Sequence, residues 1–263
     1  MQRSLVGIIG LGNLGMSLAT MIAKNPDLDV IGHNRSHVPK NLPRIRLAAT
    51  NREVILRSDV VILSVKPMQI QALCAEIRPL ITSKVPIIST AAAVSLTNLK
   101  QWLPETEMVI RCMPNIPCSI GEGIVPYYST NFGADTLMAS IFSPNRIVDL
   151  ETDHQMDVST MVSGCGPAFL AWFSQYLYEI GTDLPPSKLQ ALVAQTLRGT
   201  GTMLETTSPT TIMRTVASPK GATEASLDIL SSPTLQQPIR SALISGLHRI
   251  EHIATQFNDP NLT

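Results

Sequence analysis

Six residues near the N-terminus restrict the fold of this chain more than any other feature. Gly10-Leu11-Gly12-Asn13-Leu14-Gly15 spells GxGxxG directly after the apolar run SLVGII and directly before an apolar helical stretch. In that setting each glycine has a task. Gly10 permits a tight turn, Gly12 lets a pyrophosphate approach the backbone, and Gly15 allows close packing of helix on strand. The helix start adds free N–H groups and the positive end of the macrodipole. An ordinary glycine turn could carry the same letters, but strand-turn-helix context favours a dinucleotide site. Gly10, Leu11, Gly12, Asn13 and Leu14 are its first candidate residues.

The rest of the N-terminal half fits that start. The runs SLVGIIG, LDVIGHN, IRLAA, DVVILSV, VPIIST and EMVIRCM read as buried strands, separated by helices such as 16–24 and 69–80. Alternation of this kind gives an α/β, Rossmann-type domain, a parallel sheet with helices on both faces. Beyond about residue 152 the β-rich runs stop and apolar residues recur at three and four, as in Leu189, Leu192, Val193 and Leu197. We therefore expect domains over 1–152 and 153–263, the second all-α. Four or five helices are expected there, begun by the pairs Ser208-Pro209, Ser218-Pro219 and Ser232-Pro233. Long apolar faces with only 4% aromatic residues suit a bundle completed by a second copy.

Composition excludes several classes of function. Twenty basic against twenty acidic residues leave no electrostatic footprint for nucleic acid or an anionic membrane. Cys74, Cys112, Cys118 and Cys165 form no CxxC pair, so neither a disulfide framework nor a metal site is expected. Arg3 and the apolar stretch behind it imitate a signal peptide. Four glycines and Asn13 break that stretch and no A-x-A site follows, so a cytoplasmic protein is expected.

About twenty residues past the fingerprint, an NAD pocket places an acidic residue for the ribose. Here the second strand ends in His33-Asn34-Arg35-Ser36, with no carboxylate. An arginine among neutral neighbours suits a 2′-phosphate, which favours NADPH while still admitting NADH. Asn34, Arg35 and Ser36 join the cofactor set, whereas His33 and His37 read as bystanders. Ser64, Val65, Lys66 and Pro67 end another strand at the carboxyl edge, where open α/β sheets bind ligands. Ala91, Ala92 and Ala93 are small enough for a flat ring to lie against their backbone.

Further motifs carry a family resemblance. GLGNLG, NRS at 34–36, VKP at 65–67, RCMPNIP at 111–117, SGCGPAF at 163–169 and SPKGAT at 218–223 together resemble pyrroline-5-carboxylate reductases over about residues 5–255. The resemblance implies a Rossmann domain followed by a helical dimerisation domain, the dimer forming through the C-terminal helices, with a decamer also admitted. It implies hydride transfer from NAD(P)H to the C=N bond of the cyclic imine pyrroline-5-carboxylate, giving L-proline. By matching position, Asn51 and Asn115 join the cofactor set. Ser218, Gly221, Ala222 and Thr223 match the loop that holds the substrate carboxylate, with the Thr223 hydroxyl near the ring nitrogen as the catalytic candidate. Asp153 stands where the family has an acidic residue near the substrate.

This chain also departs from the family pattern. Lys220 and Ala93 replace glycines, Cys165 replaces serine, Ile116 replaces threonine, and Gln175 stands where an acidic residue is frequent. These changes keep two alternatives open: a paralogue reducing another small cyclic imine, and a non-catalytic regulatory dimer that binds NADPH. A β-hydroxyacid dehydrogenase is a third reading. Its lysine and asparagine would fall at Leu170 and Ser174, which removes the residues that chemistry needs.

Overall fold

The computed structural model describes residues 3–35 and 43–257. The chain forms two compact units, one of residues 1–167 with 247–263, the other of 168–246. In the first unit the strands β1 (Ser4–Ile9), β2 (Leu28–His33), β3 (Ile45–Leu47), β4 (Val60–Leu63), β5 (Ile87–Ser89), β6 (Val109–Cys112), β7 (Ile124–Tyr128) and β8 (Arg146–Leu150) build one sheet. Their order is β3-β2-β1-β4-β5-β6-β7-β8. All adjacent pairs are parallel except β6 with β7. Six strands stand where the apolar runs placed them.

The last two strands correct that reading. Pro126 sits inside β7 and the run RIVDL of β8 is largely exposed or half-buried; a proline within a run argues against a central strand, and an exposed edge lacks the apolar signature. The β3 run also differs from expectation, since it is an outer strand with two exposed residues rather than a buried one.

Strand residues alternate between two cores. Val6, Ile8, Val30, Ile62, Ile88 and Ile110 face one, while Ile9, Ile31, Val61, Leu63, Ile87 and Val109 face the other. Burial on both faces explains why these strands read as unbroken apolar runs. The first core is covered by α1 (Asn13–Ile22) and α5 (Ala134–Phe142). The second is covered by α2 (Asn51–Arg57), α3 (Pro67–Ile77) and α4 (Leu96–Trp102). Helix α1 starts at Asn13 rather than Met16, so the fingerprint's second half already belongs to the helix.

The all-helical C-terminal stretch begins at Asp153 with α6 (Asp153–Ser159), capped by the Thr152 hydroxyl, which accepts from the Gln155 N–H. Yet the division by packing comes later than 152/153. Met156 of α6 is fully buried, and Asp153 and Asp157 pair with Arg111 of β6, so α6 and the π turn 160–164 stay with the sheet.

The second unit draws on α7 (Gly166–Ile180), α8 (Pro186–Leu204), α9 (Pro209–Val216), α10 (Ala222–Leu230) and α11 (Pro233–Thr255). With α6 that makes six α-helices after residue 152 among the described residues, more than the four or five expected, because the π turn splits 153–180. Ser208 caps α9 by accepting from the Thr211 N–H, and Pro233 opens α11, as expected. Ser218-Pro219 does not open a helix. Residues 218–221 form a turn closed by a Gly221 N–H to Ser218 carbonyl bond of 2.9 Å, and α10 begins only at Ala222.

Candidate active site

The strand order reverses between β1 and β4, which is where a doubly wound sheet opens a crevice at its carboxyl ends. A cavity of about 310 Å³ lies there, lined by Gly10, Gly12, His33, Asn34, Arg35, Asn51, Ser64, Val65 and Lys66 among others. The glycines behave as the motif physics requires. Gly10 has φ +99°, a left-handed conformation that favours glycine, and a Cβ on Gly15 would sit 1.9 Å from the Gly10 carbonyl oxygen. At Gly12 a Cβ would meet no atom within 4 Å. Space beside Gly12 and the adjoining start of α1 suit a pyrophosphate.

Each wall residue has a positional cause. Lys66 is the N-cap of α3 and Pro67 its first residue, a place proline fills without losing a hydrogen bond. Asn51 opens α2, whose start is fixed by two reciprocal bonds: the Thr50 hydroxyl accepts from the Glu53 N–H, and Glu53 accepts from the Ala49 N–H.

Not every expected cofactor residue lines this cavity. Leu11 is buried, with its side chain over Gly32, so it supports the loop from behind. Asn13, Leu14 and Pro67 do not line the cavity, and Ser36 and His37 lie outside the described residues. Ala91–Ala93 follow β5 at the same sheet edge but do not line it either, with Ala91 and Ala93 almost fully buried. Asn115 is held elsewhere. Its amide oxygen accepts from the Ile124 N–H at 3.1 Å, and its NH₂ donates to the Ser163 carbonyl at 3.2 Å, tying β7 to the π turn.

His33 is the residue that sequence reasoning set aside and the structure restores. It ends β2 and forms part of the cavity wall, with Nδ1 2.7 Å from Asn51 Oδ1. Arg111 opens the RCMPNIP motif, which by itself gives the arginine no role. Its guanidinium is buried, bonds Asp153 at 2.7 Å, and also bonds Asp157. Asp153, expected beside substrate, uses the same oxygen to accept from the Leu96 N–H at the start of α4. That carboxylate is committed to holding α6 and α4 on the sheet.

In the second unit Gly221 is the N-cap of α10, and no side chain caps it. Ser218 and Thr223 are therefore not helix caps, and the N–H groups of the first turn stay open to an anion. Glu224 folds back to accept from the Lys220 N–H at 2.7 Å. Among the thiols, burial raises the pKa of Cys165 and of Cys112, and pushes Cys74 up to about 12 and Cys118 to about 11. All four favour the neutral thiol, against a nucleophilic role.

Comparisons with known proteins agree with this arrangement. Residues 153–253 match the family model for pyrroline-5-carboxylate reductase dimerisation, and residues 5–93 match that for NADP oxidoreductase, coenzyme F420-dependent. A pyrroline-5-carboxylate reductase of Pseudomonas aeruginosa is 29% identical, covering 97% of this chain and 94% of its own. One from Synechocystis is 30% identical over 94% of this chain and 97% of its own. The chain belongs to the pyrroline-5-carboxylate reductase family. A pyrroline carboxylate reductase of Plasmodium falciparum, solved with NADP bound, superposes with a TM-score of 0.86 at 26% identity, covering 97% of this chain and 99% of that one.

Against that family's pattern, two departures acquire a physical meaning. Ala93 has φ +63° and Lys220 φ +59°, so both replace glycine with a Cβ where the backbone is left-handed. Lys220 is the third residue of the 218–221 turn, after a proline, a place that ordinarily takes glycine. Its Cβ costs about 1–2 kcal/mol there, while glycine's greater freedom in the unfolded chain offsets about 0.5–1 kcal/mol of any gain. Lys220→Gly should therefore raise stability slightly, lifting the melting temperature by about 1–4 °C. A fall in a calorimetric scan would show that the lysine side chain contributes more than its strain.

Proposed function

We infer that this chain is an NADPH-dependent reductase that converts pyrroline-5-carboxylate to L-proline. The observation that carries the reading is the cavity at the β1/β4 switch point, open at Gly12, faced by Arg35, and without a carboxylate at the end of β2. NADPH fits these residues, and when bound it supplies the hydride that the imine carbon accepts. Gly10, Gly12 and the start of α1 would hold the pyrophosphate, with Arg35, Asn34 and Asn51 at the adenosine end. The turn 218–221 and the open N–H groups of α10 suit the substrate carboxylate. Thr223, in the first turn of that helix, would hydrogen-bond the imine nitrogen. A cyclic imine takes up a proton readily near neutral pH, so reduction needs orientation more than a strong acid.

Self-association belongs to the same reading. Trp172, Phe173, Leu192, Val216 and Ile229 are all more than two-fifths exposed on the helices of the second unit, and apolar area of that extent calls for a covering surface. A second copy joined through the 153–253 region supplies one. The four free thiols accord with a cytoplasmic setting.

The deciding experiment is initial-rate oxidation of NADPH and NADH with pyrroline-5-carboxylate, followed in the near-ultraviolet. Saturable turnover supports the reading. Dinucleotide binding without turnover would favour another cyclic imine or a non-catalytic regulatory dimer. Thr223→Ala should lower kcat about ten- to a hundredfold, the range for losing a hydrogen bond to a charged group, with dinucleotide affinity unchanged. Equal activity would remove Thr223 from the mechanism.

A further inference from the structure

Three polar side chains from three elements meet at the wall of the nucleotide cavity. Asn51 Nδ2 donates to Glu76 Oε1 at 2.9 Å, and Asn51 Oδ1 lies 2.7 Å from His33 Nδ1. Glu76 belongs to α3, Asn51 opens α2 and His33 ends β2. The chemistry of the groups fixes every proton in this chain. A carboxylate only accepts, so Asn51 must turn its NH₂ to Glu76; its oxygen then faces His33, and the ring must donate from Nδ1. In the neutral ring Nε2 is thereby an acceptor. His33 occupies the strand end at which NAD pockets place the carboxylate that accepts from a ribose hydroxyl.

We propose that His33 is a specificity-determining residue, its Nε2 accepting from the adenosine ribose hydroxyl of NADH, with Glu76 as the positioning residue that sets the ring's tautomer through Asn51. Resting on the reading that this cavity holds a dinucleotide, the inference assigns the two cofactors to different side chains. Arg35 serves the 2′-phosphate of NADPH, and His33 serves the 2′-hydroxyl that NADH carries in its place. A phosphate that has lost its protons has none to give to Nε2, so the ring favours the hydroxyl form. Among the described residues, Lys66 and Arg35 are the charged side chains that share the cavity wall with His33, and Glu76 is the carboxylate behind Asn51. Glu76 thus acts without touching the nucleotide.

The test is calorimetric titration of the intact protein with NADH and with NADPH, without substrate, in buffer of about pH 8.5, above the range where imidazoles take up a proton. His33→Phe keeps a ring and removes both nitrogens. It should weaken NADH about five- to tenfold, the range for one lost hydrogen bond, and NADPH by less than about threefold. Glu76→Gln, which also accepts and so frees Asn51 to turn over, should shift the NADH to NADPH ratio the same way by about threefold, with the melting temperature unchanged. Arg35→Ala should weaken NADPH alone. If Arg35→Ala acts as stated while the ratio holds in both other variants, or if His33→Phe weakens the two dinucleotides equally, the inference is overturned and the cavity assignment stands. If none of the three changes the binding of either dinucleotide, the cavity is not the nucleotide site and both readings fall. Should His33→Phe not fold, Glu76→Gln alone decides.

Discussion

Arg111→Ala should destabilise the first unit by about 3–5 kcal/mol, the range for removing one partner of a buried charge pair. Arg111 is only 1% exposed, lying on a central strand with both carboxylates of an i, i+4 pair turned toward it. Truncation removes the counter-charge from Asp153 and Asp157 and opens a cavity beside β6. It also loosens Asp153, whose oxygen accepts from the Leu96 N–H, so the starts of α6 and α4 lose a shared anchor. The melting temperature should fall by about 10 °C for a chain of this size, and the urea midpoint should move with it. The cost comes largely from the acids left behind, so Arg111→Met combined with Asp157→Leu should recover part of the loss. A single variant within about 2 °C of the parent would show that water reaches the pair freely.

That cluster also illustrates what the sequence does and does not make legible. The fingerprint and six of the eight strands among the described residues are readable because they depend on local pattern: glycines at set intervals, and apolar residues buried on both sheet faces. Arg111 and Asp153 are 42 positions apart, and although each stands in a stretch that resembles the family, neither stretch says that the two side chains pair. The family resemblance places Asp153 beside substrate by matched position alone, and only packing reveals that its carboxylate is engaged by Arg111 and the Leu96 N–H. Ser218-Pro219 misleads for a different reason. Serine followed by proline opens a helix when proline takes the first helical position, and equally opens a β-turn when serine and proline take its first two. The left-handed conformation of Lys220 decides for the turn, and a lysine gives no local hint of φ +59°. His33 carries no local signal of a role, because its partners Asn51 and Glu76 come from helices folded onto the same sheet edge.

Gly12 and Gly15 of the fingerprint look alike as letters and should fail differently. Gly12→Ala should leave the fold intact, since its Cβ would enter open space with no protein atom within 4 Å. That open space is the approach that a pyrophosphate requires. NADPH affinity should drop at least a hundredfold, about 2.7 kcal/mol, with the melting temperature of the ligand-free protein unchanged. Gly15→Ala meets a different obstacle. Its Cβ would lie 1.9 Å from the Gly10 carbonyl oxygen and 3.3 Å from Ser64 Oγ, so α1 must move away from the loop that leads into it. Leu18 and Ile22 are fully buried on that helix and carry part of the first core, so displacing it disturbs packing as well as binding. Expected losses are about 2–3 kcal/mol of stability, in the range of overpacked cores, together with the loss of dinucleotide binding. Paired thermal scans with and without NADPH separate the two cases. The Gly12→Ala protein should melt as the parent does without ligand and lose the ligand-induced rise, whereas Gly15→Ala should melt early in both. If Gly12→Ala keeps that rise, the pyrophosphate does not pass over Gly12, and the cavity would have to bind its ligand by another part of its wall.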